Sequence, residues 1–227
     1  MTDTTPEPLT APGRRRAAAQ APIHPIEVES YQILDRRVDL STWSAPDRSV
    51  VARMIHSTAD VGFAEWARIG PAAVSSAIAA LLADEPIIVD AAMVGAGAPR
   101  LDTRCWLPRV LLAPPGSTRS AAAIALAAEA TPTGGIWVVG NAPTALFELI
   151  SLHERGLADP SAVIGVPVGF VGAAESKAAL WASPLAPISI TNEGERGGSP
   201  VAAAALNALQ RLADQGETVP PETATIR

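Results

Sequence analysis

From residue 86 onward, short apolar runs alternate with turns of small residues and with helical segments. The runs are PIIVDAAMV, LPRVLLAP, GIWVVG, AVIGVPVGF and APISITN. Runs that are apolar along their whole length are typical of strands buried on both faces, and their alternation with helices favours a parallel sheet. We therefore predict an α/β protein of the doubly wound kind, with a mainly parallel sheet flanked by helices and preceded by an N-terminal helical segment.

The residues before this alternation favour helices. Apolar side chains in residues 24–38 recur on one helical stripe. Ser44 is a suitable N-cap for a second helix, with Pro46 in its first turn. A third helix is predicted from Pro71 to about Ala83.

The length of 227 residues, with 48% hydrophobic residues, suits one large domain with a proper core. We place this domain at residues 23–213. Residues 1–22 are rich in Pro, Thr and Ala and are predicted to be a disordered tail, and residues 214–227 are predicted to be a flexible tail.

Charge and composition argue against several classes of protein. The net charge is −6 and the domain contains no basic block, so nucleic acid is not an expected partner. No apolar run approaches the roughly 20 residues of a membrane span, and no signal peptide is recognised, so we predict a cytoplasmic protein. Cys105 is the only cysteine, and His24, His56 and His153 lack metal-ligand spacing, so no metal site is predicted.

The turns that follow the apolar runs predict where a ligand binds. In doubly wound sheets, ligands bind beyond the carboxyl ends of the strands. The turns expected there are STRS, GNAPT, VGFVGAAESK and NEGERGGS, and each leads into a helix whose N-terminus attracts anions. Asn141 is predicted to cap one of these helices and Ser199 another. Arg119, Lys177 and Arg196 add positive charge, so we predict a ligand with several carboxylates or phosphates.

A nucleotide is not the expected ligand or cofactor, because the chain contains neither a G-x-G-x-x-G fingerprint after the first strand nor a Walker A motif.

The stretch VVARMIHSTADVGF places His56 on the polar side of the second helix, away from Val50, Val51, Met54 and Ile55. Arg53 precedes His56 by three residues and Asp60 follows it by four. One interpretation is a solvated face with a weak His56–Asp60 pair. The other is an imidazole held between a cation and a carboxylate, which transfers a proton near neutral pH. The spacing alone leaves both open.

Six longer strings occur in order along the chain: RMIHSTADVGF, DAAMV, STRSAAA, VVGNAPTALFELI, GVPVGFVGAAESKAAL and GERGGSPVAAAALNAL. Through them, residues 26–212 resemble the precorrin-8X methylmutase family, isomerases of cobalamin biosynthesis. The resemblance implies a homodimer that moves a methyl group from C-11 to C-12 of precorrin-8X and gives hydrogenobyrinate. Its partners would be the corrinoid substrate and product, and it would need no metal and no cofactor.

The resemblance also implies roles for single residues. The family's catalytic histidine lies in an R-M-hydrophobic-H string, which assigns the proton donor to His56. Substrate contacts are expected at Ser30, Arg53, Arg119, Ser120, Asn141, Thr144, Lys177 and Arg196. The last loop reads GERGGS where the family often has G-R-x-G-G-S, which displaces the cation by one residue. Pro99 stands where a hydroxyl residue is commoner.

One alternative of another class stays open. A non-catalytic corrinoid carrier would keep the same fold and hand on the pigment, although the presence of His56 argues against it. The sequence does not distinguish metal-free precorrin-8X from its cobalt form as the substrate.

Overall fold

The computed structural model describes residues 24–216, in which a six-stranded sheet lies between two layers of helices. The strands are β1 (Ala67–Ile69), β2 (Ile87–Val89), β3 (Thr103–Cys105), β4 (Ile136–Val139), β5 (Ala162–Gly165) and β6 (Ser189–Asn192). The helices are α1 (Pro25–Arg37), α2 (Ala45–Thr58), α3 (Phe63–Trp66), α4 (Ala73–Leu82), α5 (Ala92–Ala96), α6 (Arg119–Ala130), α7 (Pro143–Glu154), α8 (Ala173–Ala182) and α9 (Ser199–Asp214).

The sheet has the order β1-β6-β5-β4-β2-β3. Strands β2 to β6 are parallel to one another, and β1 pairs antiparallel with β6 at one edge. Helices cover both faces, and α1 to α4 precede the first of the parallel strands. The predicted doubly wound, mainly parallel α/β fold with an N-terminal helical segment is therefore confirmed.

Strands β2, β4 and β5 are apolar throughout because both of their faces are covered. In β2, Ile87 and Val89 belong to the core shared with α2, α4 and α9, whereas Ile88 belongs to the core shared with α6, α7 and α8. Trp137 of β4 lies in the second core and is fully buried. This two-sided burial explains why these strands lack the polar alternation of a half-exposed sheet.

The predicted strand LPRVLLAP was wrong. Leu107–Arg109 forms one turn of 3-10 helix, and Leu111 and Leu112 are exposed. Pro108 has no backbone N–H to donate to a sheet, which disfavours a strand there. The strand at this edge is instead β3, a half-buried segment in which two of the three residues are polar.

The predicted helix caps were right at one position and wrong at two. The Ser44 hydroxyl accepts a hydrogen bond from the Asp47 amide at 3.4 Å, as predicted. At the start of α7 the cap position is Ala142, not Asn141, and no side chain within the helix caps it. At the start of α9 it is Gly198, one residue before the predicted cap.

The boundaries of the domain were predicted at residues 23 and 213. The predicted tail 1–22 lies outside the described residues, as does most of the predicted tail 214–227. Asp214 is the last residue of α9. None of the helices within residues 24–216 is long and apolar enough to cross a membrane.

Candidate active site

His56 lies in the last turn of α2, half-buried against α1. Its Nδ1 is 2.9 Å from the Ser30 hydroxyl oxygen. Its ring stacks on that of Tyr31, with centroids 5.0 Å apart and 10° between the planes. These two contacts fix the orientation of the imidazole, and its Nε2 has no hydrogen-bond partner among the described residues.

Arg53, one turn before His56, joins α2 to α1. Its guanidinium donates to the Glu27 carboxylate at 2.6 Å and to the Tyr31 hydroxyl at 3.3 Å. Burial raises the pKa of the Glu27 carboxyl, but the hydrogen bonds and charges of Arg53 and Arg211 outweigh it and hold that pKa below its ordinary value. Arg53 thus holds α1, including the Tyr31 side chain that stacks on His56, against α2. A contact between Arg53 and substrate stays a prediction.

Asp60 does not pair with His56, so that part of the sequence interpretation was wrong. The helix ends at Thr58, and Ala59 adopts a left-handed conformation with φ of 55° that turns the chain away. The Asp60 carboxylate instead pairs with the Arg196 guanidinium, which lies 4.9 Å from the centroid of the Trp66 ring. This pair joins the end of α2 to the loop that follows β6.

That loop, residues 193–198, is held in place by Lys177 of α8, the single lysine of the chain. The Lys177 ammonium donates to the Arg196 carbonyl oxygen, which also accepts from the Asn192 side-chain amide at 2.8 Å. At Gly197, with φ of 151°, a Cβ atom would lie only 2.2 Å from the Val166 carbonyl oxygen. The path of the loop, and with it the position of Arg196, is therefore closely fixed.

The predicted contact between Lys177 and a substrate carboxylate does not match this placement. The side chain is 1% exposed, and its charge is directed to a backbone carbonyl. Lys177 holds the loop that carries Arg196, so its effect on a ligand is indirect.

Replacing Lys177 with methionine is expected to change how stability depends on pH. Burial lowers the pKa of Lys177 from 10.5 to about 8, so the unfolded chain binds this proton more tightly than the folded chain. The free energy of unfolding should therefore rise between about pH 8 and pH 10.5, by on the order of 2–3 kcal/mol. Urea unfolding at several pH values measures this rise. The variant should lack it, and parallel curves for the two proteins would contradict the account.

Asp90, at the end of β2, is a residue whose role the sequence did not reveal. Its carboxylate accepts hydrogen bonds from the backbone amides of Gly140, Asn141 and Ala142, at 3.0, 2.9 and 2.8 Å. Burial raises the pKa of Asp90, and the three amide donors oppose this effect. The carboxylate thus takes the place of the predicted Asn141 cap. The sequence feature that could have indicated this role is an aspartate placed directly after a buried apolar run.

The first turns of α6 and α7 lie side by side at this edge of the sheet. The Thr118 hydroxyl caps α6 by accepting from the Ala121 amide at 3.1 Å, and it is 2.8 Å from the Thr144 hydroxyl. Arg119 is exposed, and its Nε donates to the Val110 carbonyl at 2.7 Å, which fastens the loop before α6.

The predicted site residues therefore form two groups along the carboxyl edge of the sheet. Ser30, Arg53, His56 and Arg196 gather around the end of α2 and the loop after β6. Arg119, Ser120, Asn141 and Thr144 gather at the N-termini of α6 and α7. The loop after β5 leads toward α8 and exposes 89% of both Phe170 and Val171. The arginines and the amide groups of the helix N-termini thus lie on either side of the exposed apolar side chains of Phe170 and Val171.

The fold and the site together define a class of protein. It is a doubly wound α/β protein with an oriented histidine at the carboxyl edge of the sheet, where such folds bind ligands. Comparisons with known proteins give the family. The sequence profile described as precorrin-8X methylmutase matches residues 25–212.

Individual relatives agree with this match. A precorrin-8X methylmutase from a Sinorhizobium species is 42% identical, with 80% of this chain and 91% of that protein covered. A cobalt-precorrin-8 methylmutase from a Synechocystis species is 37% identical, with 84% and 96% covered. The crystal structure of a precorrin-8X methylmutase from Thermus thermophilus superposes with a TM-score of 0.73 at 37% identity, covering 84% of this chain and 96% of that one. The chain belongs to the precorrin-8X methylmutase family, a family of isomerases in cobalamin biosynthesis.

Proposed function

We propose that this protein moves the methyl group at C-11 of precorrin-8X to C-12 and so forms hydrogenobyrinate, with His56 as the proton donor. The observation that carries the proposal is the environment of His56. Ser30 and Tyr31 hold one side of the ring, and Nε2 is free among the described residues to meet a ligand.

The contact with Ser30 suits a proton donor because it can persist in both protonation states. The hydroxyl can donate to Nδ1 of the neutral ring, and its oxygen can accept from Nδ1–H of the imidazolium. The ring therefore keeps its orientation when Nε2 loses its proton.

The reaction is an internal rearrangement, so its atoms balance without an oxidant, a reductant or a second substrate. A proton given to the macrocycle withdraws electron density from the ring and favours migration of the methyl group to the adjacent carbon. Because substrate and product are isomers, the pigment must later release a proton, and His56 is placed to take it back.

The carboxyl edge of the sheet suits a corrinoid, which carries acetate and propionate arms around an apolar ring. The N-termini of α6 and α7 offer amide groups and positive dipole ends to such carboxylates. Arg119 and Arg196 add exposed guanidinium groups at the two ends of the edge. Phe170 and Val171 offer apolar surface to the flat ring.

Mixing the purified protein with precorrin-8X, and separately with cobalt-precorrin-8, tests the proposal. The visible spectrum should change catalytically for precorrin-8X, with many pigment molecules converted per protein chain. A stoichiometric complex whose pigment stays unconverted would contradict the proposal and favour the carrier alternative.

We also infer a homodimer, in which the partner subunit covers the face of the ring that one sheet edge leaves open. Exposed apolar side chains other than Phe170 and Val171, among them Leu111 and Leu112, are available for contact between subunits. Sedimentation should give about twice the chain mass of 23.3 kDa. A stable and fully active monomer would overturn this inference.

A cytoplasmic location is part of the same proposal. With Cys105 as the single cysteine, the chain forms no internal disulfide, which is usual in a reducing compartment. Cell fractionation tests it, and recovery outside the cytoplasm would contradict it.

A further inference from the structure

A cleft of about 710 Å³ lies between α1, α2 and α9, with Tyr31 and Arg53 in its walls. Its volume is typical of small-molecule sites. The walls contain four arginines and one carboxylate: Arg48, Arg53, Arg100, Arg211 and Asp35. Because the whole chain has a net charge of −6, this concentration of arginine is local.

Three carboxylates, those of Asp35, Glu27 and Asp214, lie near these four arginines, which leaves an excess of one positive charge. Arg53 and Arg211 share one oxygen of Glu27, at 2.6 and 3.3 Å. Arg100 pairs with Asp214 at 3.0 Å. Arg48 is exposed and makes no ion pair with any of the described residues. The cleft therefore has guanidinium groups to offer to a further anion.

Two buried donors in the same walls lack acceptors. Gln210 is 2% exposed, and neither its Nε2 nor the Nε of Arg100 has a hydrogen-bond partner within residues 24–216. Buried donors are nearly always paired. Both atoms are inaccessible to solvent, so a ligand seated in the cleft would meet the outer guanidinium nitrogens of the arginines rather than these two atoms.

We propose that this cleft binds an organic anion with two or more carboxylates. Arg48 and Arg53 lie on α2, Arg211 on α9 and Arg100 before β3, so the cations surround the cleft on three sides. Cations carried by separate elements suit several separate carboxylates better than one compact phosphate. A guanidinium also binds a carboxylate through two parallel hydrogen bonds.

The cleft adjoins the candidate active site through α2 and Tyr31. Ser49, Ala52 and Arg53 line it, and His56 follows on the same face of the helix. Tyr31 lines the cleft and also stacks on the imidazole. The carboxylates that the cleft binds can therefore belong to a free polycarboxylate or to the acetate and propionate arms of the pigment. The site itself does not depend on the proposed reaction.

Calorimetric titration of the full chain with citrate, a tricarboxylate, tests the proposal. We expect saturable binding that weakens as salt is added. Arg48→Gln and Arg100→Gln should each weaken it at least about tenfold. The matched control is Arg155→Gln, which removes an exposed arginine at the end of α7. Thermal unfolding checks that each variant is folded. If Arg100→Gln does not fold, the result for Arg48→Gln decides the test, because Arg48 makes no ion pair with the described residues.

Binding that does not saturate, or that falls equally in Arg155→Gln, would overturn the proposal. A second titration, with hydrogenobyrinate in the presence of saturating citrate, distinguishes the two sources. Competition identifies the cleft as a site for the pigment's arms, and simultaneous binding identifies a free anion as its ligand. A protein that binds citrate but does not convert precorrin-8X would contradict the proposed function and leave this site standing.

Discussion

Replacing His56 with alanine is expected to lower the rate of precorrin-8X conversion by about 10²–10⁴-fold, the usual contribution of a positioned proton donor. Binding of the pigment should remain, because the cations and helix N-termini of the sheet edge are untouched. The fold should remain as well, since His56 is half-buried on the polar side of α2 and its removal leaves no cavity in the core. Single-turnover kinetics and a pigment titration measure the two effects separately.

The pH dependence and a second histidine provide the controls. The wild-type rate should fall as the imidazolium loses its proton at rising pH, and the variant should lack this limb. His153→Ala is the matched control, because His153 lies in the last turn of α7 and contacts the Ala158 carbonyl at 3.0 Å. Its rate should be unchanged. Near-normal conversion by the His56 variant would contradict the role of proton donor and would favour the interpretation of His56 as a polar residue on a solvated helix face.

Replacing Asp90 with alanine is expected to destabilise the fold by on the order of 3–5 kcal/mol. The carboxylate is 2% exposed and joins the end of β2 to three amides of the loop after β4. Its removal leaves these donors without their acceptor, at a cost of about 1–3 kcal/mol for each that stays buried. Urea unfolding measures the loss.

Two further variants make this result specific. Asp90→Asn keeps the shape and one acceptor oxygen but turns donors toward the loop, so an intermediate loss is expected. Asp102→Ala removes an exposed aspartate next to β3 and should change stability by less than about 0.5 kcal/mol. An Asp90→Ala protein that unfolds at the same urea concentration as Asp102→Ala would show that the three hydrogen bonds contribute little.

The sequence predicted the strands whose burial is two-sided and failed at the edges of the sheet. Strands β2, β4 and β5 are continuous apolar runs because helices cover both of their faces, whereas β6 is equally buried but reads SITN, with three polar residues among its four. The edge strands β1 and β3 read ARI and TRC, and each contains an arginine because part of the strand faces solvent. Three-residue strands of mixed polarity carry too little pattern to be recognised.

For the site, local patterns located the residues but not all of their partners. The helical period placed His56 on the polar side of α2 correctly. Its contact with Ser30 joins residues 26 positions apart and depends on how α1 packs against α2. Lys177 looked like a solvent-facing cation in a turn, and only the packing of the loop above it shows that it is buried. Asp90 was visible at a strand end, but its partners lie about 50 residues away.

The most direct test of the central claim follows the migrating methyl group itself. Precorrin-8X carrying ¹³C in the methyl group at C-11 is incubated with the protein, and the product is examined by ¹³C NMR. We expect the labelled methyl signal to move to the position expected for a methyl group at C-12, with no loss of label. A label that remains at C-11, or a pigment recovered unchanged after prolonged incubation, would contradict it.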